Sequence, residues 1–303
     1  MSVILGLDIG GTSLKLGAWR DAERLDWRPG LAVPQSADEG KVADALAGYV
    51  RQFAAELIEA PAALGVGSCG LIAGGVIFQS PNTPWDRLAL TELLEHRLDW
   101  PVHLLNDADA FLLAALETLV EQRCIALGVT LGTGIGTGLW IRDQLFSGGA
   151  GVSPEGGHIT LGIDRARANT GIPGSWEFMA GRGALLHYYE EAGGGRADDP
   201  ADVAAAAERG EAAAVGAWLR YGRYVGAGLG SLCNVLTPDY VLIGGGLARA
   251  HELFAPSMRS ALERHLLRAM PRPDIRFFTE TEDTVARGAA RHARMRLQRG
   301  SRH

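Results

Sequence analysis

Cysteine is scarce in this 303-residue chain. Cys69, Cys124 and Cys233 stand far apart, with no CxxC pair and no His-rich metal cluster. An odd, scattered set excludes a disulfide framework and fits buried thiols in a reducing compartment. Positive charge is also short: 29 Lys and Arg face 35 Asp and Glu, a net charge of −6. That balance argues against a nucleic-acid partner, whose binders carry a basic face, and leaves no cationic surface for a membrane. No apolar run approaches the ~18 residues that suggest a transmembrane helix. The N-terminus lacks a basic n-region and meets Asp8 early, so it reads as a strand and not as a signal peptide. The cytoplasm is the expected location. What remains is an ordinary globular composition, 47% hydrophobic and 21% charged. Its length suits roughly two domains and a sizeable core without staples.

Glycine is abundant: 41 residues, about twice average usage, and clustered. The apolar run up to Asp8 meets Gly10-Gly11-Thr12, and a second run, Leu14 to Trp19, follows at once. Two strands around a short Gly-rich turn predict a hairpin. From Asp38 the period changes, with Val42, Leu46, Tyr49, Val50, Phe53 and Leu57 at helical spacing. Residues 63–69 read as a buried strand and 80–86 as a loop punctuated by two prolines. A helix near 88–98 leads to a strand over 101–105. The strand stops at Asn106-Asp107, and 108–119 is helical. Then the opening recurs. Ile125 to Trp140 reads IALGVTLGTGIGTGLW, against ILGLDIGGTSLKLGAW for Ile4 to Trp19, at an offset of 122 residues falling to 121. One self-similarity of this length suggests two related halves and not a solenoid. Farther on, 177–191 and 211–236 read as long helices, 192–200 as an exposed loop and 240–243 as a short buried strand entering Gly244-Gly245-Gly246. The segment from 284 onward reads as a basic helix packing back on the body.

Glycine lets the backbone approach a ligand closely, and successive free N–H groups form a nest for phosphate oxygens. Gly10-Gly11-Thr12 and Gly132-Thr133-Gly134 fit this use, with Thr hydroxyls as added donors and Lys15 as a nearby cation. Tight hairpin turns would need glycine too, but two similar hairpins and a third run at 244–246 favour phosphate. Asp8 beside such a nest suggests Mg²⁺, which commonly binds through one or two carboxylates and several waters. A Walker A loop is absent. The alternating Gly132, Gly134, Gly136 and Gly138 run into a strand, unlike a Rossmann fingerprint. Asn106-Asp107 ends a strand and opens a helix: either residue could be an N-cap, and the Asp could take a proton from an alcohol. Glu155-Gly156-Gly157-His158 offers a carboxylate and an imidazole for sugar hydroxyls, or is a surface loop. Glu177 is a favourable helix N-terminal charge or a ligand residue. Asn82 is a loop-stabilising Asn or the same.

These motifs resemble the ROK family of sugar kinases and repressors, within the group sharing the actin and hexokinase fold. They are Asp8-Ile-Gly10-Gly11-Thr12-x-x-Lys15, Ser80-Pro81-Asn82, Asn106-Asp107-Ala108, Leu131-Gly132-Thr133-Gly134-x-Gly136, Glu155-Gly-Gly157-His158 and Val241 to Gly246, in family order over nearly the whole chain. The resemblance implies an α/β, two-domain actin-like/ribonuclease H-like fold with a cleft between the domains. It places a small domain at 1–118, a larger one at 119–283, and the helix of 284–300 on the first. It further implies an ATP-dependent hexose kinase, most simply a glucokinase, in which Asp107 is the general base on the sugar 6-hydroxyl. Asn82, Asn106, Glu155, His158 and Glu177 would hold the sugar and Asp8 hydrated Mg²⁺. The two Gly/Thr hairpins with Lys15 would bind nucleotide phosphates, and Gly244, Gly245 and Gly246 would lie near the adenosine. Fructose, mannose, allose or an N-acetylhexosamine are alternative acceptors, a catalytically silent sugar-binding protein is the alternative class, and a homodimer is possible.

Family repressors carry an N-terminal helix-turn-helix, for which the early hairpin leaves no room. The family often carries His, then CxCGxxGCxE, which binds zinc. Here Ala168, Thr170 and Ser175 stand where the cysteines would be, and neither Ala nor a neutral hydroxyl replaces a thiolate, so no zinc is expected. The EGGH spelling resembles a zinc-free branch of bacterial glucokinases. The Asn82 loop is one residue short of the usual pattern, which leaves the sugar open.

Overall fold

In a computed structural model the chain forms two compact units, described over residues 2–121, 123–163, 172–279 and 281–300. The first unit takes the described residues up to 121, the segment Leu145–Pro154 and the residues from 281 on. The second takes Arg123–Gln144 and Glu155–Thr279. The first opens with β1 (Ile4–Ile9), β2 (Ser13–Arg20), β3 (Glu23–Ala32) and α1 (Glu39–Ala54), then β4 (Ala63–Ser68), β5 (Leu71–Ala73), β6 (Val76–Gln79) and β7 (Asp86–Leu88). It continues through α2 (Leu90–Leu98), β8 (Val102–Asn106) and α3 (Asp107–Leu116). The second unit has β9 (Ile125–Leu131), β10 (Ile135–Ile141), β11 (Gln144–Leu145, whose last residue already belongs to the first unit), α4 (Trp176–Ala180) and α5 (Arg182–Glu191). It ends with α6 (Pro200–Glu208), α7 (Ala212–Leu236), β12 (Tyr240–Gly244), α8 (His251–His265) and β13 (Asp274–Phe277). The chain then returns with α9 (Thr284–Gly300). No helix among the described residues is long and apolar enough to cross a membrane.

The two large sheets have one plan. The first runs β3-β2-β1-β4-β8 and the second β11-β10-β9-β12-β13. In each, the opening strand pairs antiparallel with the next strand in sequence and parallel with a later one. The recurrent sequence therefore corresponds to a recurrent structure. Gly6 pairs with Gly17 in one hairpin and Gly128 with Gly138 in the other. β5, β6 and β7 form a separate small antiparallel sheet. The helical period of α1 buries Val42, Leu46, Tyr49, Val50 and Phe53, and Asp38 caps it by accepting the Lys41 N–H at 3.1 Å. The helix expected over 177–191 breaks at Gly181, which is extended and separates α4 from α5.

Helix α9 seats against the first sheet by backbone contact. Ala286, Ala289, Ala290 and Ala293 are fully buried. A Cβ on Gly65 would overlap the Ala289 carbonyl, one on Gly6 the Ala286 carbonyl, and one on Gly288 the Ala110 carbonyl of α3. In the second unit Gly222 and Gly226 bring α7 against the Phe254 and Met258 carbonyls of α8, and Gly230 brings it against the His265 side chain. Gly48, in α1, has open space where a Cβ would go. Gly65→Ala should therefore lose about 2–3 kcal/mol by overpacking, whereas Gly48→Ala should gain about 0.5–1 kcal/mol of helix stability. Opposite shifts of the urea midpoint would check both.

Candidate active site

Parallel strands bring their carboxyl ends to one edge of a sheet, where α/β proteins bind ligands. In the first unit Ile9, Ser68 and Asn106 are register partners across β1, β4 and β8. This puts Gly10-Gly11-Thr12, Cys69 and Asn106-Asp107 on one edge. Asp8 lies opposite Lys15 in the hairpin and is only 5% exposed. The Lys15 ammonium sits 3.1 Å from Asp8 Oδ2. Burial pushes the Asp8 carboxyl up from its ordinary value, and the charge and hydrogen bond of Lys15 work against that rise. Gly10 N–H closes the turn on the Ser13 carbonyl at 3.1 Å. The Thr12 carbonyl accepts from Val33 at 3.2 Å. Gly11 faces Asn82, whose Nδ2 would stand 3.1 Å from a Cβ there.

The choice left open at Asn106-Asp107 divides between the two residues. Asn106 is the cap: its Oδ1 accepts the Ala108 N–H at 2.8 Å, and its Nδ2 donates to the Gly70 carbonyl at 3.1 Å. Asp107 is the first helical residue, half-buried, with Oδ1 2.9 Å from the same Ala108 nitrogen. The helix dipole favours an anion there. The sequence reading missed what surrounds them. Asn82 Nδ2 donates to Cys69 Sγ at 3.5 Å, and Ser80 Oγ lies 3.7 Å from that sulfur. Burial raises the Cys69 thiol and the Asp107 charge raises it further, outweighing its hydrogen bonds to Ser80 and Asn82. Cys69 is thus a neutral packing and hydrogen-bonding partner. Asp109, buried on α3, accepts a short hydrogen bond from Ser153 Oγ. This bond ties the Leu145–Pro154 segment to the helix that carries Asp107. Neither Asp109 nor Ser153 stood out in the sequence.

In the second unit Thr130 and Gly244 are register partners on parallel β9 and β12, so the turns at 132–134 and 244–246 share one edge. Gly245 has φ +93°, and a Cβ there would strike the Leu131 backbone. Gly132 N–H closes its turn on the Gly134 carbonyl at 3.0 Å, with Thr133 exposed at the tip. The two glycines of the Glu155–His158 segment let it lie on β10. Gly156 N–H donates to Thr137 Oγ1 at 2.8 Å, and a Cβ on Gly157 would overlap the Ile135 carbonyl. His158 Nε2 is 3.6 Å from Glu155 Oε2. His158 Nδ1 is buried with no hydrogen-bond partner among the described residues. Glu177, in the first turn of α4, accepts the Ile135 N–H at 3.1 Å. Burial pushes the Glu155 carboxyl up, His158 lowers it, and the Glu177 charge raises it again. Glu155, His158 and Glu177 therefore form one electrostatic cluster. Thr137, which holds Gly156, carried no sequence signal.

Of the three positions where the zinc motif would have cysteines, Ala168 and Thr170 lie outside the described residues. Ser175 is buried and caps α4 by accepting the Phe178 N–H at 3.2 Å. Among the described residues no group of three or more His, Cys, Asp or Glu could hold a metal. A phosphate-borne Mg²⁺ needs only one or two carboxylates and keeps its waters. Asp8, a buried carboxylate beside a Gly-rich turn, fits that need.

Removing Lys15 leaves the buried Asp8 carboxylate without its cation. Lys15→Met should lose about 1–3 kcal/mol near neutral pH, by the penalty for an unpaired buried charge. Because the Asp8 pKa is already raised, acidification through the carboxylate range protonates it and removes the need for a partner. The deficit should shrink between about pH 7.5 and about pH 4.5. Urea unfolding of both proteins at the two pH values checks this.

The sequence profile of the ROK family matches residues 4–296. A glucokinase of Streptomyces coelicolor is 28% identical over 292 residues, 90% of this chain and 91% of the relative. An N-acetyl-D-glucosamine kinase of Salmonella paratyphi A is 28% identical over 302 residues, 94% of this chain and 97% of the relative. Among solved structures, a ROK hexokinase from Thermus thermophilus superposes with a TM-score of 0.87 at 29% identity, covering 98% of this chain and 99% of that one. A ROK glucokinase from Streptomyces griseus, in complex with glucose and AMPPNP, gives 0.80 at 26% identity, covering 97% and 99%. The chain belongs to the ROK family and has the actin-like ATPase fold of its sugar kinases.

Proposed function

We propose that the protein is an ATP-dependent hexose kinase acting on the sugar 6-hydroxyl, with glucose the first candidate. The observation that carries this reading is the pairing of Asp107 with its scaffold. An acid in the first turn of α3 is fixed by an Asn106 cap on the same sheet edge as the Gly10–Thr12 turn. Phosphoryl transfer is mostly positioning plus charge neutralisation, and that edge supplies both. Asp107 orients the 6-hydroxyl and receives its proton as the bond to phosphorus forms. Asn106, whose amide keeps one N–H and one lone pair beyond its scaffold bonds, holds a hydroxyl of the same sugar, as does Asn82. Glu155, His158 and Glu177 hold the other end of the ring.

The backbone N–H groups of the two Gly/Thr hairpins other than those of Gly10 and Gly132, which close the turns, receive nucleotide phosphates, and Gly244–Gly246 leave room for the adenosine. Lys15 holds the Asp8 carboxylate in place and offsets phosphate charge. Mg²⁺, held by Asp8 through water, would neutralise charge on the transferred phosphoryl group. The Streptomyces griseus relative, which binds glucose and AMPPNP, supports both glucose and ATP. The Salmonella relative keeps an N-acetylated amino sugar in view.

ADP release from MgATP with a panel of hexoses and N-acetylhexosamines tests the reading. One sugar should stimulate release, and Asp107→Asn should lower kcat by about 10²–10⁴-fold while the melting temperature falls by no more than about 4 °C, the cost of losing a helix N-terminal charge. If no sugar stimulates release while some still bind, the protein is a sugar-binding relative without activity. If Asp107→Asn turns over normally, Asp107 is a structural residue of the helix start.

A further inference from the structure

One corner of the second unit grips the hairpin assigned to nucleotide phosphates. Glu177 Oε2 accepts the N–H of Ile135 at 3.1 Å, and its carboxylate occupies the space that a Cβ on Gly134 would need. Gly181 N–H returns to the Glu177 carbonyl at 2.7 Å. Arg182 N–H donates to the Gly132 carbonyl at 2.9 Å. A Cβ on Gly181 would stand 2.8 Å from the Thr133 carbonyl. The α4–Gly181–α5 corner thus touches each residue from Gly132 to Ile135. From the Glu155–His158 turn, Gly157 closes on the Ile135 carbonyl and Gly156 bonds to Thr137. Ile135 is therefore held at its N–H by one sugar-cluster segment and at its carbonyl by the other.

We propose that Glu177 is a positioning residue that couples the two ligands: sugar bound at Glu155, His158 and Glu177 fixes the nucleotide hairpin through the Glu177–Ile135 hydrogen bond. This rests on the kinase reading and adds to it a route of communication. Two neighbouring carboxylates repel each other, and His158 faces Glu155 at 3.6 Å. A ligand whose hydroxyls donate to both carboxylates weakens that repulsion. The Glu177–Ile135 hydrogen bond, already formed without sugar, is then held more firmly, and the turn at 132–134 is kept ready for phosphate. By linkage, nucleotide must tighten sugar binding by the same factor.

Calorimetric titration of the full chain with Mg-AMPPNP, without and with saturating D-glucose or N-acetyl-D-glucosamine, tests this. In the wild type the sugar should tighten AMPPNP by about fivefold or more. Glu177→Ala loses the acceptor. AMPPNP should bind about tenfold more weakly, the ~1.4 kcal/mol that a tenfold change represents, and sugar should no longer alter it. Glu177→Gln keeps an oxygen for Ile135 N–H but loses the charge. With the repulsion gone, its sugar-free AMPPNP affinity should rise toward the sugar-saturated value of the wild type while the coupling falls, a split that a merely structural role would not produce and one that can be read even if Glu177→Ala fails to fold. Wild-type AMPPNP affinity in Glu177→Ala, or undiminished coupling in both variants, overturns the proposal. If the wild type phosphorylates a sugar but shows either result, only the coupling falls. If it binds neither probe, the kinase reading falls with it.

Discussion

The constraint on which this structure depends is the close approach of one backbone to another at positions without a Cβ. Gly6 and Gly65 admit the α9 carbonyls, Gly245 admits the end of β9, and Gly157 admits the Ile135 carbonyl. A methyl group at any of these would strike a main-chain atom, which cannot swing aside as a side-chain tip can. Two of these contacts also position candidate site segments. Gly245 holds its turn beside the hairpin at 132–134, and Gly156 and Gly157 lay Glu155 and His158 on β10. At these positions glycine is thus a packing specification.

The repeated plan of the two sheets shows how one scaffold serves different chemistry. Asp8 faces Lys15 in the first hairpin, and the corresponding pair in the second is Thr130 and Gly136. A part-buried ion pair stands in one copy and an uncharged pair in the other. The first can support cation chemistry at its turn. The second has no charge of its own there and takes one from outside the hairpin, from Glu177 on α4.

Much of this was legible in the sequence because periodicity and repetition are local. Both hairpins, α1 and the Asn106-Asp107 junction could be read from adjacent residues. What escaped had no period to read. β3 is mostly exposed on both faces, so it shows no apolar alternation. β5 and β7 are three residues each, too short to show one. α8 carries an internal Pro256, which obscures its helical pattern. The break at Gly181 comes with close contact to the hairpin at 132–134, which no periodicity shows. Asn106 and Asp107 looked interchangeable as caps, and only the three-dimensional bonds separate the cap from the acid. Thr137, Ser153, Asp109 and the Cys69–Ser80 pair act on residues distant in sequence, so no local pattern reveals them.

The return of α9 to the first unit sets an order of events during synthesis. The glycine faces of β1 and β4 are covered by residues beyond Thr284, so the unit that begins the chain is finished by its last helix. At about 5–20 residues per second, the ribosome holds the first sheet incomplete for as long as the whole second unit takes to emerge. The second unit contains all its own strands and helices, apart from the last residue of β11, between Arg123 and Thr279, so it can close first. The nascent first sheet then waits with bare backbone exposed, a surface that chaperones would have reason to shield.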